Sequence, residues 1–286
     1  MARLLVLGVT GMIGHKVFQV VTSNNAFDVC GVSKRSLDSE TVLADLREFS
    51  DVAKLLKKTK PNFVINCSGL LIEDSEAKAI DAIRLNALLP LYLKELSDEY
   101  DFKLIQISTD CVFSGKNGPY KENAQKDATN VYGITKSLSE IDDDRNLTIR
   151  TSVIGPDLYY DGQELFHWFM CQEGEISGYK KSLWSGVTTL ELAKSIIWSI
   201  DNDIKGLRNL TSSSPISKYE LLKIMNEETN KHLTINIADG PDHNKSLINS
   251  YNFYYESKID YKTIIKEMID DIIKRKNDYS HYDLGF

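Results

Sequence analysis

Short apolar runs alternate with helical patterns through the first two-thirds of the chain. Residues 4–7, 29–32, 63–66, 104–108 and 148–153 are brief, mostly apolar and β-prone, while residues 12–22, 51–59, 80–100 and 131–143 carry helical patterns. Runs that are apolar on both faces and separated by helices predict a parallel sheet covered on both sides. Right-handed crossovers then favour a doubly wound α/β sheet.

After Ile154-Gly155-Pro156 the rhythm changes, with Gly, Tyr, Trp and Asp frequent through Lys181. A helix over 189–200, a strand over 207–211, a helix from Pro215 to about Asn230, a strand over 232–238 and a closing helix over 261–274 follow. No repeat or low-complexity linker interrupts this, so the expected division is a dinucleotide-binding domain at 1–155 and a smaller α/β substrate lobe at 156–286, interleaved with it.

Composition narrows the class. With 42% hydrophobic and 26% charged residues the chain is ordinary for a globular protein. Its net charge of −7 argues against a nucleic-acid partner, which needs a concentrated basic surface. The lysines from Lys54 to Lys60 read as a solvated helix end. Apolar runs are too short for a membrane span, and the first residues are too soon broken by glycine for a signal peptide. The four cysteines, Cys30, Cys67, Cys111 and Cys171, are widely spaced, which argues against a metal site or a disulfide framework. A cytoplasmic setting is the expectation.

Gly8-Val9-Thr10-Gly11-Met12-Ile13-Gly14 follows the first strand and opens a helix. The first glycine permits the turn, the second lets backbone approach a pyrophosphate, and the third lets helix and strand pack closely. The helix N-terminus adds amide donors and positive partial charge. In this context the loop predicts a Rossmann-type nucleotide site. The second strand ends in Ser33-Lys34-Arg35, with a hydroxyl and two cations where an NAD site normally has a carboxylate, so NADPH is the expected cofactor and NADH the alternative.

Thr109 closes the fourth strand, and Tyr132 and Lys136 lie one turn apart on the following helix. Ketone reduction leaves an oxyanion as hydride arrives, and tyrosine can protonate it if its pKa falls toward neutrality. A neighbouring ammonium lowers that pKa, and Lys136 can also hold ribose hydroxyls. Thr109 can donate a hydrogen bond to the carbonyl oxygen.

The GxxGxxG spacing resembles extended short-chain dehydrogenases/reductases. Ile107-Ser-Thr-Asp-Cys-Val-Phe-Ser-Gly115, Gly118-Pro-Tyr-Lys-Glu122, Val131-Tyr-Gly-Ile-Thr-Lys136, Glu140 and Arg150-Thr151-Ser152 resemble the dTDP-4-dehydrorhamnose reductase family. The resemblance implies NADPH-dependent reduction at C4 of a nucleotide-linked 4-keto-6-deoxy sugar, with the catalytic roles on Thr109, Tyr132 and Lys136. It implies cofactor contacts from Asp45-Leu46 at the adenine and from Cys67-Ser68-Gly69 along the chain's close approach, and substrate contacts from Asp110, Val112, Phe113 and Trp184. Leu183-Trp-Ser-Gly-Val-Thr-Thr189 is similar to a branch acting on UDP-linked acetamido sugars in surface-polysaccharide synthesis. A homodimer is among the expected assemblies. Cys111 replaces a usual Tyr, which reshapes a pocket without removing a catalytic group.

Two rivals stand beside this. A sugar-nucleotide epimerase would hold NAD tightly, which the basic Ser33-Lys34-Arg35 end disfavours. A non-catalytic regulator of the methionine adenosyltransferase β type shares the fold, and fold does not decide function. His15 and the aromatic face at His167-Trp168-Phe169 read as structural, and Asp142 to Asp144 as a solvated helix end.

Overall fold

Strand β1 (Ala2–Leu7) buries its last four residues, as a strand covered on both faces must. It is followed by α1 (Met12–Thr22), β2 (Phe27–Ser33), β3 (Val42–Leu43), α2 (Phe49–Thr59), β4 (Phe63–Asn66), α3 (Ile72–Ala77), α4 (Ala79–Ala82), α5 (Leu89–Tyr100), β5 (Lys103–Thr109), α6 (Val131–Leu138) and β6 (Leu147–Thr151). Then come β7 (Val153–Ile154), α7 (Leu165–Met170), β8 (Glu175–Tyr179), β9 (Leu183–Trp184), β10 (Val187–Thr188), α8 (Thr189–Asp201), β11 (Gly206–Asn209), β12 (Ile216–Ser217), α9 (Lys218–Thr229), β13 (Thr234–Ala238) and α10 (Tyr261–Lys274). The computed structural model describes residues 1–37, 41–212, 214–254 and 260–284.

The chain forms two compact units. The first comprises residues 1–113, 125–150 and 193–208, and the second residues 114–124, 151–192 and 209–286. The units are built from exchanged segments, with 114–124 in the second and 193–208 in the first. Strand β11 joins the first unit's sheet beside β6, which draws the preceding half of α8 with it.

In the first unit a seven-stranded sheet runs β11-β6-β5-β4-β1-β2-β3. The pairs β1·β2, β1·β4, β2·β3 and β4·β5 are parallel. The order reverses between β1 and β4, so the loops after these two strands diverge at their carboxyl ends, where such sheets bind ligands. Leu5, Leu7, Val64, Leu104, Leu56 and Leu93 form part of the apolar cluster on one face. The doubly wound Rossmann-type expectation holds.

One expected helix carries an irregular turn and another is shorter than its apolar pattern. The span 80–100 is helical throughout, as α4, a π turn over Ile83–Leu88, and α5. Pro90 has no N–H to continue the i to i−4 ladder, and the wider turn accommodates it. Helix α6 stops at Leu138 rather than near Asp143. Asp142 and Asp143 are turn acceptors: Asp142 takes the Leu207 amide at 2.9 Å, and Asp143 takes the amides of Arg145 and Asn146.

The second unit packs α7, α9 and α10 around Phe166, Phe169, Met225, Ile265 and Met268. Its strands pair in twos, β7·β10 and β8·β13 parallel and β9·β12 antiparallel. A full capping box at Ser217 and Glu220 starts α9. His167 and Phe166 each pack on Tyr282 and Phe169 is buried, whereas Trp168 is exposed.

Candidate functional site

The glycine loop turns at Gly8, whose φ of +83° is left-handed and glycine-favouring. The Gly8 and Val9 amides both donate to the Val32 carbonyl, at 2.8 and 3.2 Å, which ties the loop to β2. A Cβ on Gly8 would stand 2.9 Å from Ser68 Cα, and one on Gly14 would stand 2.0 Å from the Gly8 carbonyl oxygen. The loop after β1 therefore lies against the loop after β4, and α1 lies against its own turn. Gly11 caps α1 in extended conformation with no side-chain hydrogen bond. Thr10, Gly11, Met12 and Ile13 thus carry the helix start, an arrangement that fits an anionic pyrophosphate. His15 is buried with Nδ1 2.9 Å from the Gly11 carbonyl, a structural role.

Behind this loop a polar chain crosses an otherwise apolar sheet. Asn66 and Gln106 stand opposite each other on β4 and β5, and Asn66 Nδ2 donates to Gln106 Oε1 at 2.8 Å. Asn66 Oδ1 accepts from the Ser68 amide at 3.2 Å and the Ser68 hydroxyl at 2.5 Å. Gln106 Nε2 donates to the Ile107 carbonyl at 3.0 Å, and Lys136 Nζ donates to the same oxygen at 2.7 Å. The Cys67-Ser68-Gly69 loop and the lysine are thereby tied to one frame.

Helix α6 is started by Asn130, whose Oδ1 accepts from the Gly133 amide at 2.9 Å. A Cβ on Gly133 would meet the Cys111 carbonyl at 2.4 Å, so glycine brings the helix against the 3₁₀ turn Asp110–Val112. Thr109 caps that turn. Its Oγ1 accepts from the Cys111 amide at 3.1 Å and donates to Asp110 Oδ1 at 3.2 Å. Thr109, Tyr132 and Lys136 are thus carried by two elements in direct contact.

Lys136 is 7% exposed, and burial lowers its ammonium pKa to about 8, opposed chiefly by the charge of Glu140. Burial pushes the Cys67 thiol up to about 12, so it stays protonated.

Asn86 escapes a motif reading, and the partners of Glu140 do not follow from its motif. Asn86 is fully buried in the π turn, accepts from the Leu70 amide at 2.8 Å and donates to Thr135 Oγ1 on α6 at 3.4 Å. Glu140 joins Ser108, Arg150 and Lys126. Their signal is a polar residue inside an apolar pattern.

At the end of β2, Ser33 is buried and its hydroxyl donates to the Arg35 carbonyl. Lys34 lies exposed, 3.6 Å from Asp45. Asp45 is gripped by Arg47, which holds its carboxyl well below the usual range, and Leu46 is buried in the core beside it.

Val112, Phe113 and Trp184, expected to touch substrate, are all buried. Val112 and Phe113 are 0% and 1% exposed, and the Arg150 guanidinium lies 5.0 Å from the Phe113 ring centroid. Trp184 is 2% exposed in the second unit's core, against Tyr261 and Lys218. Each sits where strand or turn geometry directs it inward. Among the described residues no group of three or more His, Cys, Asp or Glu could hold a metal ion. No helix among them is long and apolar enough to cross a membrane.

The chain resembles known proteins over about half of its length. A dTDP-4-dehydrorhamnose reductase from Aggregatibacter actinomycetemcomitans is 28% identical over 142 residues, 49% of this chain and 46% of that protein. The methionine adenosyltransferase 2 subunit beta of Danio rerio is 29% identical over 141 residues, 48% of this chain and 42% of that protein. The chain thus spans less than half the length of these curated relatives. Among solved structures, a dTDP-4-dehydrorhamnose reductase from Bacillus anthracis in complex with NADP superposes with a TM-score of 0.80 at 19% identity, covering 95% of this chain and all of that one. One from Clostridium acetobutylicum gives 0.79 at 21%, covering 95% and 99%. At these identities the structures establish the fold. The family model of the RmlD substrate binding domain matches residues 2–171, well over half of the sequence, and the chain belongs to that family.

Proposed function

We propose that this chain is an NADPH-dependent reductase of the C4 ketone of a nucleotide-linked 4-keto-6-deoxy sugar. The observation that carries the reading is the buried Lys136, one helical turn from Tyr132, on a helix held by Gly133 against the Thr109 turn. The bound cofactor would supply the hydride. Gly8, Thr10, Gly11, Met12, Ile13 and Gly14 fit its pyrophosphate, since glycine at positions 8 and 14 lets the turn close against the Ser68 loop and the start of α1. Ser33, Lys34 and Arg35 suit a 2′-phosphate, Asp45 and Leu46 the adenine, and Cys67, Ser68 and Gly69 the approach along the cofactor.

In this reading Tyr132 delivers a proton to the C4 oxygen as negative charge develops there. Lys136, as an ammonium, favours phenolate and lowers the cost of that transfer. The Thr109 hydroxyl turns from Asp110 to donate to the same oxygen. Asp110, 6% exposed, holds the threonine in place beforehand. A homodimer is supported by exposed Ile80, Ile83, Leu91, Ile134 and Leu138 on the helices of the first unit.

NADPH oxidation with dTDP-, UDP- and GDP-linked 4-keto-6-deoxy sugars, beside Tyr132→Phe, tests the proposal. Oxidation lost in the variant supports it and names the base, including the UDP-acetamido branch if that donor is used. A second reading is a non-catalytic subunit of the methionine adenosyltransferase β type, favoured by relatives of that description matching about half of the chain at 29–31% identity. NADPH binding without oxidation of any donor would select it.

A further inference from the structure

We propose that Arg47 sets the preference for a phosphorylated cofactor by neutralising Asp45, the carboxylate beside Lys34 that would otherwise repel a 2′-phosphate. The inference rests on the cofactor assignment above and adds a selectivity residue outside the Ser33-Lys34-Arg35 segment.

Backbone pairing makes the juxtaposition unavoidable. Ser33 lies opposite Leu43, and the Ala44 amide donates to the Ser33 carbonyl at 3.0 Å. The next residue, Asp45, therefore emerges beside the end of β2, and its Oδ2 lies 3.6 Å from Lys34 Nζ. An anionic side chain at this point is unfavourable for a dianionic phosphate held by Lys34 and Arg35.

Arg47 removes the conflict. Its Nε donates to both Asp45 oxygens, at 2.9 and 3.2 Å, and its Nη2 donates to Oδ2 at 2.6 Å. Its Nη1 reaches Asp81 on α4 at 2.6 Å, so one guanidinium spans two carboxylates from different elements. A planar five-donor group can do this, whereas a lysine ammonium is a point charge. Lys34 also pairs with Asp45, at 3.6 Å, but Arg47 is the nearer partner at 2.6 Å and the Lys34 side chain is 69% exposed. Lys34, Arg35 and Arg47 then outnumber Asp45 and Asp81. Without Arg47 the excess of positive charge is gone.

The test measures dissociation constants of NADPH and NADH by fluorescence titration for the full chain, Arg47→Met, Arg47→Lys and Arg47→Met/Asp45→Asn. In Arg47→Met the NADPH constant is expected to rise about tenfold, the order one partly screened charge supplies at this range, while the NADH constant changes less than about twofold. Arg47→Lys should retain part of the preference. The double variant should regain NADPH affinity because the unneutralised carboxylate is gone, a rescue that a merely structural role for Arg47 would not give. Equal weakening for both cofactors, or an unchanged ratio in Arg47→Met, overturns the inference and leaves the cofactor assignment standing. Unaltered protein that binds neither cofactor, or prefers NADH, removes both.

Discussion

Glu140 receives two hydrogen bonds from Arg150, Nε to Oε1 at 2.7 Å and Nη2 to Oε2 at 2.6 Å, with both side chains almost wholly buried. Ser108 adds a bond to Oε1 at 2.7 Å, and Lys126 lies 3.2 Å from Oε2. The pair ties the segment after α6 to β5 and β6, so the helix carrying Tyr132 and Lys136 is anchored at its far end by charge and at its start by Asn130.

Breaking this pair leaves a buried guanidinium uncompensated. Glu140→Gln is expected to lower unfolding stability by about 3–5 kcal/mol. Burial alone would raise the Glu140 carboxyl, but Arg150, Ser108 and Lys126 more than offset it and the net direction is down. A depressed folded-state pKa gives stability that is present above the unfolded value, 4.5, and lost as pH falls through the folded one. Denaturant midpoints from pH 7 to pH 3 should show that acid loss in the native chain and a shallower one in Glu140→Gln.

In the proposed function Lys136 links the same carboxylate to catalysis. Its ammonium, lowered to about 8, should produce an alkaline limb in kcat/KM near that pH, since the charged form is the active one. Glu140 raises the Lys136 pKa, so Glu140→Gln should move the limb to lower pH. A limb that stays in place would remove the electrostatic link while leaving the stability role intact.

Tyr132→Phe and Lys136→Met should each reduce turnover by about 10²–10⁴-fold, the range that general acid catalysis supplies. Tyr132→Phe should retain NADPH binding, whereas Lys136→Met should weaken it if the lysine also holds ribose hydroxyls. Equal turnover in Tyr132→Phe and the native chain would place the acid elsewhere.

Asp157, in the second unit, has its carboxyl raised to about 6 by burial and by Asp161, and its Oδ2 is buried without a hydrogen-bond partner. A raised folded-state pKa gives stability present below the unfolded value, 3.8, and lost as pH rises through about 6. Asp157→Asn should therefore stabilise the chain by about 1–2 kcal/mol at pH 7.5 after discounting for solvent screening, with little gain at pH 4. Thermal unfolding at the two pH values reads this directly.

Gly14→Ala would place a methyl 2.0 Å from the Gly8 carbonyl oxygen, where backbone rather than a flexible side chain must move. The expected result is loss of nucleotide binding together with a lower melting temperature. Gly174→Ala, with open space around its Cβ but a φ of +68°, should cost only about 1 kcal/mol and leave nucleotide binding unchanged.

The sequence by itself determined the parts of this protein that depend on local spacing. Helices α1 and α10 and strand β4 have the bounds that periodicity gives, because their apolar positions match a single period and end at turn residues. The glycine loop and the Tyr132–Lys136 spacing were legible for the same reason, since each places its groups within a turn or two of chain. Tertiary structure decided what depends on residues distant in sequence. It turned Asp143 from a helix end into a turn acceptor, inserted a π turn before Pro90, and buried Val112, Phe113 and Trp184. It also brought Asp45, Arg47 and Asp81 together, and set Glu140 on Arg150. Such contacts are fixed by the register of strands and the packing of helices, in which a polar residue's partner is chosen by three-dimensional proximity and by the cost of leaving a buried group unpaired.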